Sequence, residues 1–489
     1  MKKSNLIQFS IIFTLFITYH LTYIYFNQAG TINSDTIWSY SFSRDIIEGV
    51  NLEEFAFPPF YYFFDILISF IPSLLEDHVL HAMIVSPVNI VIFILFFSLF
   101  YKLDFKDDYF KSVILLILST LIVYFLFITL SLMLSMSFNA PIYPLLILKN
   151  YFFMQANHGL SAVAALVISY LYYFKQIPLQ KKIILFFLVF LFSLSDFWFA
   201  VYFLPIVGIL FLINPNQNLL KEIIYLTLSS IIALMFTYLN NEALNGYNDT
   251  LGQYTFLKDD GDFLNIIIGI VSTLLIMYIL PFFCYLHLYY KNKLSNFIKS
   301  IFFASIVSTM FIIIVDFTFN NMRFCVFALP LNILLTFEVL KLYQIKNTKL
   351  FFISLFFLIF GLVQILTFNI TDKMRNNVTH FDFKEEILCI NEVNKIKNYS
   401  IFLSYWPSKI IFESLNRKIN IVSTGWIYNP EWSRLFDNSN GFIIVKYEHY
   451  PEFVPKNLVN AIENGELPST EFCNDKLILV ENSKISYQK

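Results

Sequence analysis

The sequence repeatedly reaches the length and apolarity of a membrane-spanning helix, for which about 20 mostly apolar residues suffice. Eleven windows meet or approach this length, near residues 5–26, 80–101, 112–134, 159–174, 183–195, 198–213, 223–239, 263–290, 300–318, 325–343 and 350–368. The chain of 489 residues is 57% hydrophobic and 14% charged, far from the balance of a soluble domain. We therefore predict a polytopic α-helical membrane protein with about eleven transmembrane helices. The first window is interpreted as a retained span rather than a cleaved signal peptide.

The number of spans depends on the apolar run at 183–213, which contains Asp196 near its middle. As one helix, this run would extend for roughly 46 Å at ~1.5 Å per residue, whereas the hydrocarbon core is about 30 Å thick. Asp196 either lies at a turn between two short helices or is buried in one long helix. The split places Lys2 and the lysines of the loops near 291–299 and 341–349 on one side, as the positive-inside rule requires. We therefore predict a cytoplasmic N-terminus and an extracytoplasmic C-terminus.

This topology makes residues 28–78 a first outer loop, which carries eight acidic residues and one arginine, Arg44. Within it, we predict that residues 36–75 form one or two helices lying along the outer interface of the membrane. Three prolines interrupt this segment and charged residues flank it, so it is not expected to span.

The composition becomes more polar from about residue 370, and strand and helix patterns alternate. Strands are predicted at 399–406, 418–424, 441–447 and 476–481, and helices at 407–417 and 455–464. We therefore divide the chain into a transmembrane domain, residues 1–369, and a C-terminal extracytoplasmic α/β domain, residues 370–489. Cys389 and Cys473 lie in the second domain, where an oxidising compartment permits a disulfide. The sequence leaves a bridge and two free thiols equally open.

Several classes of function are excluded by charge and by missing motifs. The net charge is −2 and no basic patch is interleaved with aromatic residues, so we predict no nucleic-acid partner. The sequence has no CxxC, HExxH or GxSxG motif. No metal ligands and no cofactor are assigned. The acids in the loops at 28–78 and 240–262 leave a divalent cation open, although no ligand spacing demands one.

The first outer loop contains "SDTIWSYSFSRDIIEG" followed by "FAFPPFYYFFDILISFIP". Asp35 follows the first span, Arg44 comes nine residues later, Gly49 closes the predicted helix, and a Pro-Pro-aromatic stretch returns the chain to the membrane. This pattern resembles the first outer loop of the GT-C integral-membrane glycosyltransferases, which include protein O-mannosyltransferases and lipid A aminoarabinose transferases. In length and composition the chain is also similar to bacterial O-antigen-modifying glucosyl transferases.

The resemblance implies a hexosyltransferase of the bacterial cytoplasmic (inner) membrane. Such an enzyme moves a single sugar from a polyprenyl-phosphate carrier to a cell-surface glycan or lipid, such as O-antigen or lipopolysaccharide, on the outer face. The reaction needs a carboxylate to take the proton of the acceptor hydroxyl and cations to hold the leaving phosphate. Asp35 is the candidate base. Arg44 and Arg323, the two arginines before residue 370, are the candidate phosphate ligands.

Structural alternatives exist for these three residues. Asp35 could be a loop acid or the N-cap of a helix at 36–48. Arg44 could pair with Glu48, four residues along that helix. Arg323 could extend its charge to the lipid headgroups.

Three further residues are candidate substrate ligands. Asp65 lies among apolar residues and needs a partner, so it is either a second acid of the site or an interfacial residue. His158 lies at the outer end of a span, where it could bind substrate or form a local hydrogen bond at a helix start. Asp196 could be exposed at its turn or line the cavity.

Two other functional classes remain alternatives. A lipid-linked oligosaccharide flippase or another transporter would also have many spans, but ionisable residues near the midplane and internal repeats would be expected. We find no internal repeat in the sequence. A polysaccharide polymerase or ligase would use the same lipid phosphate on the same face, and Arg-rich outer loops would favour it. The acidic first outer loop instead favours transfer of a single sugar.

Overall fold

The computed structural model describes most of the helical part and the strands that follow it. The described residues are 3–26, 34–49, 63–101, 109–138, 158–174, 179–215, 217–240, 263–315, 325, 327–375, 384–395, 399–404, 421–424, 441–446, 460, 462–465 and 469–481. Up to residue 375 the regular structure in these ranges is helical, and from residue 400 it is mainly strand.

The helical part contains α1 to α13. These are Lys3–Phe26, Ser34–Glu48, Phe63–Leu74, His78–Tyr101, Tyr109–Phe138, His158–Phe174, Leu179–Ser195, Phe197–Ile213, Gln217–Asn240, Phe263–Tyr290, Asn296–Val315, Ala328–Leu342 and Asn347–Arg375. Each of the eleven apolar windows corresponds to one of them, namely α1 or α4 to α13, so the helical conformation of these windows is confirmed. By length and composition, three helical stretches in the described part could cross a membrane: Tyr109–Leu130, Ile270–Tyr290 and Asn296–Ile314.

The apolar run around Asp196 is divided into two helices, as predicted. α7 ends at Ser195, and α8 begins at Phe197. Asp196 between them has extended backbone angles, φ −155° and ψ 123°. Its side chain accepts a hydrogen bond from the backbone N–H of Trp198, at 3.1 Å, which caps the new helix.

The directions of α7 and α9 show that the chain reverses at this break. Lys182 forms an ion pair with Glu222 near the N-terminal ends of the two helices. Further along both helices, the hydroxyls of Ser193 and Ser230 lie 2.8 Å apart. The two helices are therefore parallel, and α8 must return the chain to the side on which α7 began.

Contacts at two levels also give the relative directions of two further helix pairs. α1 is parallel to α5, and α10 is parallel to α12. In each pair an earlier residue of one helix contacts an earlier residue of the other, and a later residue contacts a later one. The contacts are Phe9 with Phe110, Tyr19 with Tyr124, Met277 with Asn332, and His287 with Tyr343. α11 contacts α8, where the hydroxyl of Ser308 donates to the carbonyl of Val201 at 2.8 Å. One continuous apolar core joins these helices.

The close approach of α1 and α13 depends on Gly361. A Cβ added at Gly361 of α13 would lie 2.9 Å from Cε2 of Tyr19, a ring of α1 that is almost fully buried. Real Cβ contacts are longer than this, so a side chain at position 361 would push α1 and α13 apart.

The C-terminal part forms a five-stranded sheet preceded by a helix. α14 is Lys384–Asn394, and β1 to β5 are Ser400–Ser404, Ile421–Thr424, Gly441–Val445, Ser469–Phe472 and Leu477–Glu481. The strand order is β2-β1-β3-β5-β4, with β1 parallel to β2 and β3, and β5 antiparallel to β3 and β4. The four predicted strands are confirmed as β1, β2, β3 and β5. α14 and β4 were not predicted.

Two predicted helices of this part are outside the described residues, the one at 407–417 entirely and the one at 455–464 in part. The sheet has its own apolar core, in which Ile401, Ile443 and Leu477 are fully buried together with Ile390 of α14. The structure thus contains two separate apolar cores in its described part, one helical and one around the sheet.

A disulfide joins α14 to the turn between β4 and β5. It links Cys389 with Cys473, whose Cα atoms are 6.1 Å apart. Beside it, Lys476 Nζ lies 2.6 Å from a carboxylate oxygen of Glu385 and 3.3 Å from one of Glu386. The question that the sequence left open is therefore decided in favour of the bridge.

Candidate functional site

The segment predicted to be the first outer loop contains two helices, α2 and α3, which pack against each other. Neither helix combines a spanning length with an uncharged sequence, since α2 carries Asp35, Arg44, Asp45 and Glu48 and α3 has only 12 residues. At ~1.5 Å per residue, α2 extends for about 22 Å and α3 for about 18 Å, against a hydrocarbon core of about 30 Å. Their position along the outer interface of the membrane stays a prediction.

Serine hydroxyls fill the contact between α2 and α3. Ser69 donates to the hydroxyl of Ser39 at 2.9 Å, and Ser43 donates to the carbonyl of Ile66 at 3.0 Å. Ser73 donates to a carbonyl of α2 at 2.9 Å. Small side chains let the two backbones approach closely, and each hydroxyl finds an acceptor. Serines four residues apart on both helices were a signal for this contact that the sequence analysis missed.

Asp35 lies in the first turn of α2. The helix begins at Ser34, two residues earlier than predicted, so Asp35 is not its N-cap. The free N–H groups of a first turn and the helix dipole favour a negative charge there. The structure describes the backbone of Asp35 and of His158, the first residue of α6, but not their side chains; Arg323 lies outside the described residues.

Arg44 holds the end of α2 against the end of α3. Its Nε is 3.0 Å from a carboxylate oxygen of Glu48, which confirms the predicted pair. Its Nη2 is 3.3 Å from an oxygen of Glu76, in the turn after α3, a partner that the sequence did not reveal. The Arg44 side chain is only 11% exposed. Any phosphate at this site would therefore compete with two carboxylates for the guanidinium group.

The end of α2 has the geometry that its glycine predicts. Gly49 has φ +75°, a left-handed conformation that glycine adopts without steric cost. Its N–H donates to the carbonyl of Ile46 at 3.2 Å, which satisfies one of the last carbonyls of the helix. The chain therefore leaves α2 sharply, immediately after the turn that carries Arg44.

Two of the candidate acids are buried. Asp65 of α3 is 4% exposed, and Asp196 is 1% exposed. The interpretation of Asp196 as an exposed turn residue is wrong, because its carboxylate caps α8 inside the protein. Phe64, next to Asp65, stacks on Phe192 of α7 with ring centroids 4.0 Å apart. Phe192 is one turn before Asp196, so α3 contacts the bundle close to the Asp196 turn.

A histidine that the sequence analysis did not select lies beside α2. His81, in the first turns of α4, is buried, and its ring centroid is 5.6 Å from that of Tyr40 of α2. Asp77 precedes it and caps α4 by accepting a hydrogen bond from Leu80 N–H at 2.9 Å. An ionisable residue at an apolar helix position is the signal that could have identified His81.

The described structure thus brings Arg44, Asp65 and Asp196 onto elements that pack together. Among the described residues, no group of three or more His, Cys, Asp or Glu side chains could hold a metal ion, and the acids of 240–262 lie outside those residues. Comparison of the chain with protein-family models and with curated proteins gives no match.

Proposed function

We propose that this protein is a membrane glycosyltransferase that moves a single sugar from a polyprenyl-phosphate carrier to a glycan or lipid acceptor, on the outer face of the bacterial cytoplasmic membrane. The observation that carries the proposal is α2 itself. Asp35 lies in its first turn, Arg44 is nine residues further along, and Gly49 ends it in a left-handed conformation. The order of these three residues along α2 is the one that the resemblance to GT-C glycosyltransferases implies, and it is this order that supports the proposal.

The proposed topology has eleven spans, α1 and α4 to α13, with the N-terminus in the cytoplasm. Helix directions support it. In this order the parallel pairs α1–α5, α7–α9 and α10–α12 each differ by two spans. The sheet would then lie on the outer side, a location that the Cys389–Cys473 disulfide also favours, since disulfides persist in oxidising compartments.

Asp35 is the proposed general base. The acceptor hydroxyl would donate its proton to the carboxylate while its oxygen forms a bond to the anomeric carbon of the sugar. The bond from that carbon to the phosphate oxygen breaks, and the carrier phosphate keeps the electron pair. An aspartate is ordinarily deprotonated at neutral pH, so the base would meet the acceptor in its charged form. General-base assistance is typically worth ~10²–10⁴-fold in rate.

Arg44 and Arg323 are the proposed ligands of the carrier phosphate. For Arg44, binding would exchange one carboxylate partner for a phosphate, which suits the planar guanidinium equally well. Glu76 is the partner expected to be displaced, because its side chain is 71% exposed and exposed ion pairs contribute little. Glu48 on the same helix would remain in place.

Asp65, His158 and Asp196 are proposed to shape the substrate site rather than to transfer protons. Asp196 would act by capping α8, which fixes the turn that follows Phe192, the residue on which Phe64 of α3 stacks. Asp65 lies on the buried face of α3, next to that contact. His158 begins α6, and its proposed contact with substrate rests on that position alone.

The test is a transfer assay with purified protein in lipid nanodiscs. Polyprenyl-phosphate glucose, mannose and aminoarabinose, each labelled in the sugar, are offered with bacterial lipopolysaccharide. Transfer of one labelled sugar to the acceptor, with release of polyprenyl phosphate, is the expected result. A Glu471→Gln variant, altered at an exposed residue of β4, should behave like the unmodified protein. Repeated addition of units would instead identify a polymerase, and movement of the intact lipid-linked sugar across a liposome membrane would identify a flippase.

A further inference from the structure

The short helix α3 has its polar face inside and its apolar face outside. Its buried residues are Asp65, Ile66, Ser69, Pro72 and Ser73. Its opposite face is apolar and exposed, and we call it the α3 apolar face: Phe63, Leu67, Ile71, Leu74 and the following Leu75. A surface helix in water normally has the reverse arrangement, because apolar side chains are driven out of water.

The apolar side chains of this face are among the most exposed large hydrophobic residues of the outer-loop segment. Leu67 is 63% exposed and Ile71 is 66% exposed, and they are one helical turn apart. Behind them, the hydroxyl of Ser69 is satisfied by Ser39 and by the carbonyl of Asp65. Hydrogen-bonded small polar residues between helices, with apolar residues outside, are typical of helix packing in lipid.

The depth of α3 follows from its contact with the bundle. Phe64 stacks on Phe192, which lies within the last turn of α7 before its end at Ser195. One turn of helix is ~5.4 Å long, so α3 lies at the level of the outermost turn of an apolar helix. Only three residues separate the end of α3 at Leu74 from the start of the apolar helix α4 at His78. α3 therefore lies beside the end of α7 and directly before the start of α4, at the boundary of the apolar helices.

The exposed charged groups of α2 and α3 indicate which part of this helix pair faces water. Glu48 and Glu76, which both form ion pairs with Arg44, are 41% and 71% exposed. They lie at the ends of α2 and α3, whereas the α3 apolar face carries no charged side chain. The pair therefore presents one apolar surface and one acidic surface, as an element at a lipid–water boundary requires.

We propose that the α3 apolar face is immersed in the acyl chains of the outer leaflet and thereby fixes the height of α2 above the membrane. Because α2 is held to α3 by the serine contacts, the depth of α3 determines the depth of Asp35 and Arg44. The consequence for catalysis rests on the proposed function: the carrier phosphate lies at the headgroup level, and α3 would hold Arg44 at that level.

The immersion is tested by spin labels on full-length protein in nanodiscs of phosphatidylethanolamine and phosphatidylglycerol. Leu67→Cys and Ile71→Cys carry the label on the α3 apolar face, and Glu48→Cys is the water-exposed control. Cys284 and Cys325 are buried and the other two cysteines form the disulfide, so unmutated protein serves as the labelling blank. Frequent collisions of the label with oxygen indicate that it lies in lipid, and frequent collisions with a water-soluble nickel chelate indicate that it lies in water.

Labels at positions 67 and 71 should collide with oxygen several-fold more than with the nickel chelate, and the ratio should invert at position 48. Frequent nickel collisions at 67 and 71 would mean that the face is in water, and low collision rates with both reagents would mean that protein covers it. Either outcome overturns the proposal. The measurement needs no donor or acceptor, so a failure of the proposed glycosyl transfer would leave its result unchanged.

The control of height is tested by a label at Ile47→Cys, an exposed position of α2. Leu67→Asp combined with Ile71→Asp should raise nickel collisions at position 47 several-fold, because a short acidic side chain cannot extend to the headgroups from within the acyl chains. Leu67→Ala combined with Ile71→Ala is the matched apolar control and should leave the position 47 ratio unchanged. Equal ratios in the Asp and Ala pairs would refute the claim that α3 sets the height of α2.

Discussion

The α2–α3 pair and the C-terminal sheet bury opposite kinds of side chain. In the sheet, aliphatic residues such as Ile443 and Leu477 are fully buried, while Lys476 and Glu385 form their ion pair at the surface. In the α2–α3 pair, serines are buried in the contact, whereas Leu67, Ile71 and Leu74 of α3 are exposed. The same rule produces both arrangements if the sheet is surrounded by water and the exposed face of α3 by lipid. The side chains that each region exposes therefore indicate its solvent.

The largest expected effect comes from the same substitution made in both regions. Leu477→Ala removes a fully buried side chain from the sheet and should lower the free energy of unfolding by about 2–5 kcal/mol. Leu67→Ala removes an exposed side chain from α3 and should change stability by less than ~0.5 kcal/mol. Limited proteolysis of both full-length variants in nanodiscs measures the difference. Similar losses in both variants would contradict the contrast between the two regions.

Removal of the disulfide should have the next largest effect, and only on the sheet. Cys389→Ser should destabilise the α14–sheet unit by roughly 2–4 kcal/mol, because the bridge closes a loop with a sequence separation of 84. Protease cleavage within α14 should increase, while cleavage near α2 and α3 should not. Dithiothreitol applied to unmodified protein should reproduce the pattern. Unchanged protection of α14 after reduction would show that the bridge is dispensable there.

A smaller effect is expected at the serine contact of the α2–α3 pair. Ser69→Leu should destabilise the pair by about 1–3 kcal/mol, because the larger side chain cannot fit where two backbones approach. Ser69→Ala keeps the space and loses hydrogen bonds, so its cost should be about 0.5–1.5 kcal/mol. Hydrogen exchange of the α2 and α3 amides separates the two variants. A more stable Leu variant would show that the contact is loosely packed.

The smallest effect is a pH dependence confined to the sheet. The hydrogen bond from Lys476 lowers the pKa of Glu385 below its ordinary value of 4.5. A lowered pKa means that the ion pair stabilises α14 above the ordinary pKa, and that this contribution disappears as the pH falls through the lowered pKa. Hydrogen exchange of α14 between pH 7 and pH 3 should show a loss of protection that Glu385→Gln removes. Identical profiles for both proteins would exclude the pair as its cause.

Local pattern predicted the elements but not the contacts between them. The apolar windows predicted α1 and α4 to α13, and Asp196 predicted the break between α7 and α8, because helix length and charge in apolar surroundings are local properties. Aliphatic runs likewise predicted β1, β2, β3 and β5. β4 was missed because Ser469–Phe472 is a short, largely exposed edge strand without apolar alternation.

Within the candidate site, the sequence predicted only the features that depend on residue spacing along a single helix. The Arg44–Glu48 pair and the role of Gly49 follow from spacing along α2. The Arg44–Glu76 pair and the Tyr40–His81 contact join segments more than 30 residues apart, which no local pattern records. The disulfide stayed open for the same reason, since bridging depends on the distance between two Cα atoms in the folded chain.

The central claim is that α2 carries a catalytic base, and Asp35→Asn tests it most directly. Asp77→Asn is the matched control, because Asp77 lies in the same segment between α1 and α4 and caps α4, a task that Asn performs about as well. With purified protein, a labelled polyprenyl-phosphate sugar and the acceptor identified in the transfer assay, the Asp77 variant should retain the unmodified rate. Asp35→Asn should lower the transfer rate ~10²–10⁴-fold while donor binding persists. A near-normal rate for Asp35→Asn would contradict the account.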